Sequence, residues 1–116
     1  MLDAISRLFR KPPPEPAWVD VATLQRQLGG ASPPLVLDVR GSDEFDGPLG
    51  HIEGALNIPL PELAARRSEI TGGKPVVCVC LTDKRSAAAA VQLAAAGVGE
   101  VSVLRGGMKA WREAGW

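Results

Sequence analysis

The sequence predicts an α/β fold, a sandwich in which helices cover both faces of a parallel sheet. Strand-like apolar segments alternate with helical segments from Trp18 onward, and this alternation is typical of parallel sheets. Residues 76–81 are apolar without interruption, which fits a central strand. A length of 116 residues with 46% hydrophobic content suits one domain around one core and leaves no room for a second.

The first half of the chain contributes three predicted strands. A short edge strand begins at Val19, and a helix over residues 21–28 follows, ended by a glycine pair. Residues 35–39 are apolar except for one aspartate and form the second strand. Residues 55–58 form the third strand, which a proline stops, and a helix over residues 60–70 precedes the next glycine pair.

The second half contributes two more strands and two helices. Residues 76–80 form the central strand, and an alanine-rich helix runs from about residue 84 to residue 96. Residues 101–104 give the last strand, and residues 107–113 the last helix. The helical spacing i, i+3, i+4, i+7 predicts that the alanine-rich helix buries Ala87, Ala90, Val91 and Ala94.

Residues 1–17 are predicted to form an arm and a linker outside the domain of residues 18–116. Apolar side chains occur near helical spacing, and a proline-rich stretch then stops any helix. The segment is either a partly disordered tail or an amphipathic arm that contacts a membrane surface or a partner; its shortness favours the tail. The apolar positions are Leu2, Ile5, Leu8 and Phe9.

Composition disfavours several classes of function. Thirteen basic and thirteen acidic residues leave no net charge, and an aromatic content of 4% offers few stacking surfaces, so nucleic-acid binding is not expected. Two cysteines spaced C-x-C cannot build a disulfide framework, and a single histidine gives no zinc-site spacing. The sequence lacks an apolar stretch of membrane-spanning length and the apolar core of a signal peptide. We therefore expect a reduced, cytoplasmic protein without a metal.

Cys80 is the candidate nucleophile, because it stands where the central strand meets a helix. No residue from Leu81 to Ser86 is a proline, so every backbone N–H of this loop can donate, and a loop entering a helix N-terminus readily binds anions. Lys84 and Arg85 add positive charge, and all these groups favour a thiolate. Cys78 lies inside the apolar run and is predicted to be inert core, the alternative being a resolving thiol.

Polar groups also follow two other predicted strands. Ligands of open parallel sheets bind beyond the carboxyl ends of the strands. Asp38-Val39-Arg40 and Arg105-Gly106-Gly107 stand at such ends, as Cys80 does. The sequence thus predicts one functional rim built from three strands.

Four motifs together identify a family. They are Asp38-Val39-Arg40, the segment GHIEGALNIP over residues 50–59, the loop from Cys80 to Ser86, and LRGGM over residues 104–108 with Trp111. Their order and separations resemble those of single-domain rhodaneses, over about residues 18–116. This resemblance implies a three-layer α/β/α sandwich with a five-stranded parallel sheet, and a six-residue loop from a persulfide-bearing cysteine to an arginine, here Cys80 and Arg85.

The resemblance also implies the chemistry. A thiosulfate sulfurtransferase of this type moves sulfane sulfur from thiosulfate or a persulfide donor to a thiol or cyanide, without a cofactor, and a protein persulfide is a possible partner. Arg85 would offset charge on the donor, or would instead tie the loop to a carboxylate. The substrate-binding residues would be Leu81, Thr82, Asp83, Lys84 and Ser86.

Two other functions compete with this interpretation. Phosphatases and arsenate reductases of a related fold have a loop one residue longer, which admits a tetrahedral oxyanion, so the shorter loop here favours sulfur transfer. A non-catalytic rhodanese-like binding or regulatory module would usually lack the cysteine. The presence of both Cys80 and Arg85 therefore favours an enzyme.

Asp83 departs from the glycine that the family commonly has at this position. Its carboxylate could cap the following helix through the N–H of Arg85 or Ser86, or could disfavour thiosulfate by repulsion.

The remaining marked residues are predicted to be structural. Asp38, Arg40 and Glu53 are expected to form an ion-pair network that fixes loops near the site. His51 is expected to be a hydrogen-bonded structural histidine, and Trp111 to pack in the core.

Overall fold

Five parallel strands form one sheet in the computed structural model, which describes residues 15–116. The strand order across the sheet is β1-β5-β4-β2-β3, so β4 is central, as predicted, and β1 is an edge strand. Residues 1–14, which carry the predicted arm, lie outside the described residues. The strands are β1 Ala17–Val19, β2 Leu35–Asp38, β3 Leu56–Asn57, β4 Val76–Val79 and β5 Val101–Leu104.

Helices cover both faces of the sheet, which confirms the predicted α/β sandwich. One face packs against the helix after the central strand, through Ala89, Ala90 and Leu93, and against Leu63. The other face packs against the first and last helices, through Leu24, Met108 and Trp111. The α-helices are α1 Val21–Leu28, α2 Ser42–Phe45, α3 Leu63–Arg66, α4 Lys84–Ala95 and α5 Gly107–Glu113.

Three segments differ from the sequence prediction. The edge strand expected to begin at Val19 instead ends there, because β1 is Ala17–Val19. The helix expected over residues 60–70 is three short pieces, 3₁₀ turns Leu60–Glu62 and Arg67–Glu69 on either side of α3. Leu63 is the one fully buried side chain among these pieces. The segment therefore has no apolar face long enough to stabilise a regular helix. Helix α2, which the sequence did not predict, begins after Gly41, shortly past the end of β2 at Asp38.

The buried face of α4 was predicted one residue out of phase. The buried side chains are Ser86, Ala89, Ala90 and Leu93, whereas Ala94 is exposed and Ala87 and Val91 are half-buried. The observed set has the same helical spacing as the predicted one, and four consecutive alanines offer no signal that distinguishes the two. In the observed phase Ser86 faces inward, toward Cys80. Within residues 15–116 no helix combines the length and the apolarity that crossing a bilayer requires.

Candidate active site

Cys80 directly follows the central strand and is 2% exposed. Its Sγ accepts a hydrogen bond from the backbone N–H of Ser86 at 3.4 Å and lies 3.2 Å from the Ser86 hydroxyl oxygen. That hydroxyl also lies 3.2 Å from the carbonyl oxygen of Asp83, to which it donates. The hydroxyl has one proton, so it can donate either to this carbonyl or, after rotation, to a thiolate. The Ser86 side chain therefore suits both protonation states of the sulfur.

The loop after Cys80 presents its carbonyl groups to α5. The N–H groups of Met108 and Lys109 donate to the carbonyl oxygens of Cys80 and Leu81, at 2.9 and 3.1 Å. By contrast, the N–H groups of residues 81–85 have no acceptor within the part of the chain that the structure describes. Helix α5 thus fixes the loop by binding two of the loop's carbonyl oxygens, and the five N–H groups of residues 81–85 stay available to an anion.

Gly107 permits this close contact between the loop and α5. Its φ of +58° lies in the left-handed region that favours glycine. A Cβ atom at this position would collide with the carbonyl oxygens of Cys80, Leu81 and Thr82. The glycine in the motif after β5 is therefore required by the shape of the loop.

Arg85 is held by a carboxylate on a distant segment. Its two terminal nitrogens donate to the two oxygens of Glu44 at 2.6 and 2.9 Å. Hydrogen bonding from Arg85 is the main cause that lowers the pKa of Glu44 from 4.5 to about 2, and the same pair raises the pKa of Arg85. This is the arrangement in which Arg85 ties the loop to a carboxylate.

Glu44 is a site residue that the sequence analysis missed. Its carboxylate also accepts from the N–H of Gly41 at 3.3 Å, which helps to start α2. A glutamate three residues after a helix-starting position is a usable signal, because such a residue often reaches back to the first N–H groups. The partner, Arg85, is 41 residues away, and no local pattern predicts that contact.

Asp38 and Arg40 form a buried ion pair beside the site. The Nη2 and Nε atoms of Arg40 donate to the Asp38 carboxylate at 2.8 and 3.0 Å, and both residues are about 1% exposed. Arg40 also donates to the carbonyl oxygens of Glu44 and Gly50, at 3.2 and 2.7 Å. The expected network is wrong in its third member, because Glu53 is exposed and forms no ion pair among the described residues. Arg40 thus fastens the end of β2 to the backbone of α2 and to the turn at Gly50.

These features match a known family. The sequence pattern of the rhodanese-like domain matches residues 20–114. The chain belongs to the rhodanese-like domain family. An uncharacterized protein of Bacillus subtilis, YqhL, is 46% identical over 76 residues, which cover 66% of this chain and 59% of that protein.

Two further relatives are similar along most of their own length. A sulfurtransferase of Allochromatium vinosum is 34% identical over 97 residues, covering 84% of this chain and 89% of that protein. The crystal structure of a rhodanese-related protein from Thermoplasma volcanium superposes with a TM-score of 0.76 at 29% identity, covering 86% of this chain and 94% of that one. The chain spans about half the length of three other curated relatives, YqhL among them.

Cys78 has the surroundings of a core residue in this rhodanese-like domain. It is 0% exposed and packs in the same apolar cluster as Cys80. Burial, with a smaller contribution from the neighbouring Cys80, raises the pKa of Cys78 to about 12. A thiol with this pKa is almost entirely protonated at neutral pH and is a poor nucleophile.

The other loop residues line the rim of the site. Leu81 is 40% exposed, Thr82 and Lys84 are exposed, and Asp83 is half-buried. Asp83 stands at the N-cap of α4, but its side chain makes no capping hydrogen bond and its φ is −151°. Of the two roles considered for Asp83, capping is therefore not the one observed, and the backbone there is not left-handed.

His51 and Trp111 have structural surroundings. His51 donates through Nδ1 to the carbonyl oxygen of Phe45 at 3.0 Å, and its ring stacks on Phe45 with 3.6 Å between centroids. Trp111 is buried in the core on the α1 and α5 face of the sheet. Neither side chain contacts Cys80.

Two surface grooves lie away from Cys80. One, of about 700 Å³, includes Leu28, Ile52 and Trp116, and the other, of about 670 Å³, follows the amino ends of β1, β4 and β5. Neither groove includes a residue of the loop from Cys80 to Ser86. In residues 15–116, no group of three or more His, Cys, Asp or Glu side chains is arranged to hold a metal.

Proposed function

We propose that this protein is a sulfurtransferase that carries sulfane sulfur as a persulfide on Cys80. The donor is thiosulfate or a small or protein-bound persulfide, and the acceptor is a thiol or cyanide. Membership in the rhodanese-like family and the similarity to the sulfurtransferase of Allochromatium vinosum support this class of reaction. The residues around Cys80 support the individual steps.

In the first half-reaction, the Cys80 thiolate attacks the outer sulfur of the donor. With thiosulfate, a bond forms between Sγ and the outer sulfur, the original S–S bond breaks, and its electron pair leaves with sulfite. The thiolate becomes a persulfide anion, so charge and atoms balance. In the second half-reaction, cyanide attacks the terminal sulfur of the persulfide, thiocyanate leaves, and the Cys80 thiolate is regenerated.

The surrounding groups stabilise negative charge on sulfur in both half-reactions. The N–H and hydroxyl of Ser86 contact Sγ, and the unoccupied N–H groups of residues 81–85 would bind the terminal sulfur or the leaving sulfite. Lys84 adds a positive charge at the rim. Arg85 acts by positioning the loop, because both ends of its guanidinium are bound to Glu44.

The observation that carries this proposal is the run of backbone N–H groups after Cys80: that of Ser86 donates to Sγ, and those of residues 81–85 have no acceptor in the described structure. A merely structural cysteine at a strand end would not need a loop whose first two carbonyl groups, those of Cys80 and Leu81, are bound by a neighbouring helix.

The test is the intact mass of the protein after mixing with thiosulfate and removal of the excess. We expect the addition of one sulfur atom, located on Cys80, and its loss as thiocyanate when cyanide is added. Cys80→Ser should abolish both events. Cys78→Ala is the matched control, because it removes the neighbouring thiol without burying a hydroxyl, and it should load and discharge normally.

Two outcomes would contradict the proposal. Absence of any sulfur adduct with thiosulfate and with a low-molecular-weight persulfide would indicate a non-catalytic binding module. A folded Cys78→Ala protein that loads Cys80 but cannot discharge it would make Cys78 a resolving thiol.

A further inference from the structure

The loop from Cys80 to Ser86 carries little free positive charge. Arg85, the cation that closes the loop, donates through both terminal nitrogens to Glu44. Arg40 is likewise committed to Asp38 and to two carbonyl oxygens. Among the charged residues of the loop, Lys84 alone is a cation without a carboxylate partner in the described structure, and Asp83 offsets it.

Among the charged side chains of the loop and its partner Glu44, the balance is therefore negative once Cys80 ionises. Glu44 and Asp83 match Arg85 and Lys84 in number, and the thiolate adds one further negative charge. The Glu44 and Arg85 side chains are 40% and 39% exposed, so this pair faces the solvent from which a donor arrives. A dianion meets more repulsion there than a monoanion of the same shape.

We infer that Glu44 is a specificity-determining residue, which cancels the charge of Arg85 and so favours singly charged or neutral sulfane donors, such as persulfides, over dianionic thiosulfate. This inference rests on the sulfur transfer proposed above. Glu44 does not touch the reacting sulfur. It acts through Arg85 on the charge that the donor meets.

A pair of donors that differ by one charge isolates this effect. Thiosulfate is a dianion and releases sulfite, whereas methanethiosulfonate is a monoanion and releases methanesulfinate. In both cases Sγ bonds to the outer sulfur, the S–S bond breaks, and the electron pair leaves with the sulfur-oxygen anion. The ratio of the two kcat/KM values cancels any change in the reactivity of Cys80 itself.

The experiment measures this ratio, thiosulfate over methanethiosulfonate, in the parent protein, in Glu44→Gln and in Asp43→Asn. Removing one negative charge near the donor should raise the ratio about three- to tenfold in Glu44→Gln. Asp43 is the matched control, because it is exposed in the same helix and does not contact Arg85, and its replacement should change the ratio less than about twofold.

A second measurement needs no variant. In the parent protein the same ratio should rise as sodium chloride increases from about 0.02 M to about 0.5 M, because salt screens the repulsion of the dianion. An unchanged ratio in folded Glu44→Gln, an equal rise in Asp43→Asn, or a fall of the parent ratio with salt would each overturn the inference. Failure of both donors to load Cys80 would instead overturn the proposed sulfur transfer.

Discussion

Cys78 and Cys80 lie two residues apart on the same face of the sheet, yet their surroundings differ. Cys78 is inside β4 and belongs to a buried apolar cluster, and burial leaves it a thiol. Cys80 lies one residue past the strand, where the backbone turns and the N–H and hydroxyl of Ser86 reach its sulfur. A difference of one strand period therefore separates a core side chain from a candidate nucleophile.

Asp83 allows a second test of charge at the site, on the loop itself. Its side chain caps nothing, so Asp83→Asn should change the free energy of unfolding by no more than about 0.5 kcal/mol. We expect kcat/KM for thiosulfate to rise about two- to fivefold, because one negative charge near the dianion is removed. Asp83→Gly, which restores the commoner family residue, should change it in the same direction.

Steady-state kinetics at low and high salt check this prediction. The gain in Asp83→Asn should shrink at high salt if repulsion is its cause. A lower kcat/KM with an unchanged melting temperature would show that Asp83 organises the loop or contacts the acceptor.

At the scale of elements, the contact between the Cys80 loop and α5 depends on Gly107. Gly107→Ala should lower the free energy of unfolding by at least about 3 kcal/mol, because a left-handed alanine costs about 1–2 kcal/mol and the collision with three carbonyl oxygens adds to it. Gly73→Ala is the matched control. Its φ is +63°, and a Cβ there has no neighbour within 4 Å, so it should lose about 1 kcal/mol.

Urea unfolding of the two variants measures this difference. Equal losses would mean that the left-handed backbone, and not the contact with the loop, determines the need for glycine at position 107. In that case the carbonyl groups of the loop would have room to move away from α5.

The strands and helices show which features of this fold can be predicted from local sequence. Apolar runs and glycine pairs predicted the positions of β2 to β5 and the layer order, because burial on both faces and helix ends have local signatures. The phase of α4 was not predictable, since consecutive alanines fit two faces equally well. Helix α2 has four residues and no buried side chain, so it has no amphipathic pattern to detect.

The candidate site was predictable only in part, because some of its contacts join segments that are distant in sequence. Cys80, its loop and the polar end of β2 follow from strand ends meeting at one edge of a parallel sheet. Arg105, predicted for the same rim, instead has its guanidinium over the Trp18 ring, 4.5 Å from the centroid. The pairing of Arg85 with Glu44, and the separation of Glu53 from Asp38, depend on how segments distant in sequence pack together. No spacing rule within one segment contains that information.

At the scale of the whole molecule, a chain of polar contacts joins the ends of two neighbouring strands. Asp38 holds Arg40, Arg40 binds the backbone of Glu44, and the Glu44 side chain holds Arg85 in the Cys80 loop. The loop is thus held from one side by α5 and from the other by α2. The stability of the whole domain should consequently depend on the ionisation of Glu44.

This dependence predicts how Glu44→Gln alters stability with pH. The pKa of Glu44 falls from 4.5 to about 2 in the folded protein, so the ionised pair stabilises the fold above about pH 4.5, and this contribution disappears as the pH falls toward 2. Because the pair is well exposed, its contribution is about 1 kcal/mol at most. Urea midpoints should therefore be lower for Glu44→Gln than for the parent at neutral pH and should converge near pH 2.

Glu53→Gln is the control, as Glu53 is exposed and unpaired among the described residues. A constant difference between parent and Glu44→Gln across this range would show that Glu44 stabilises the domain by packing or by its bond to Gly41, and not by its charge.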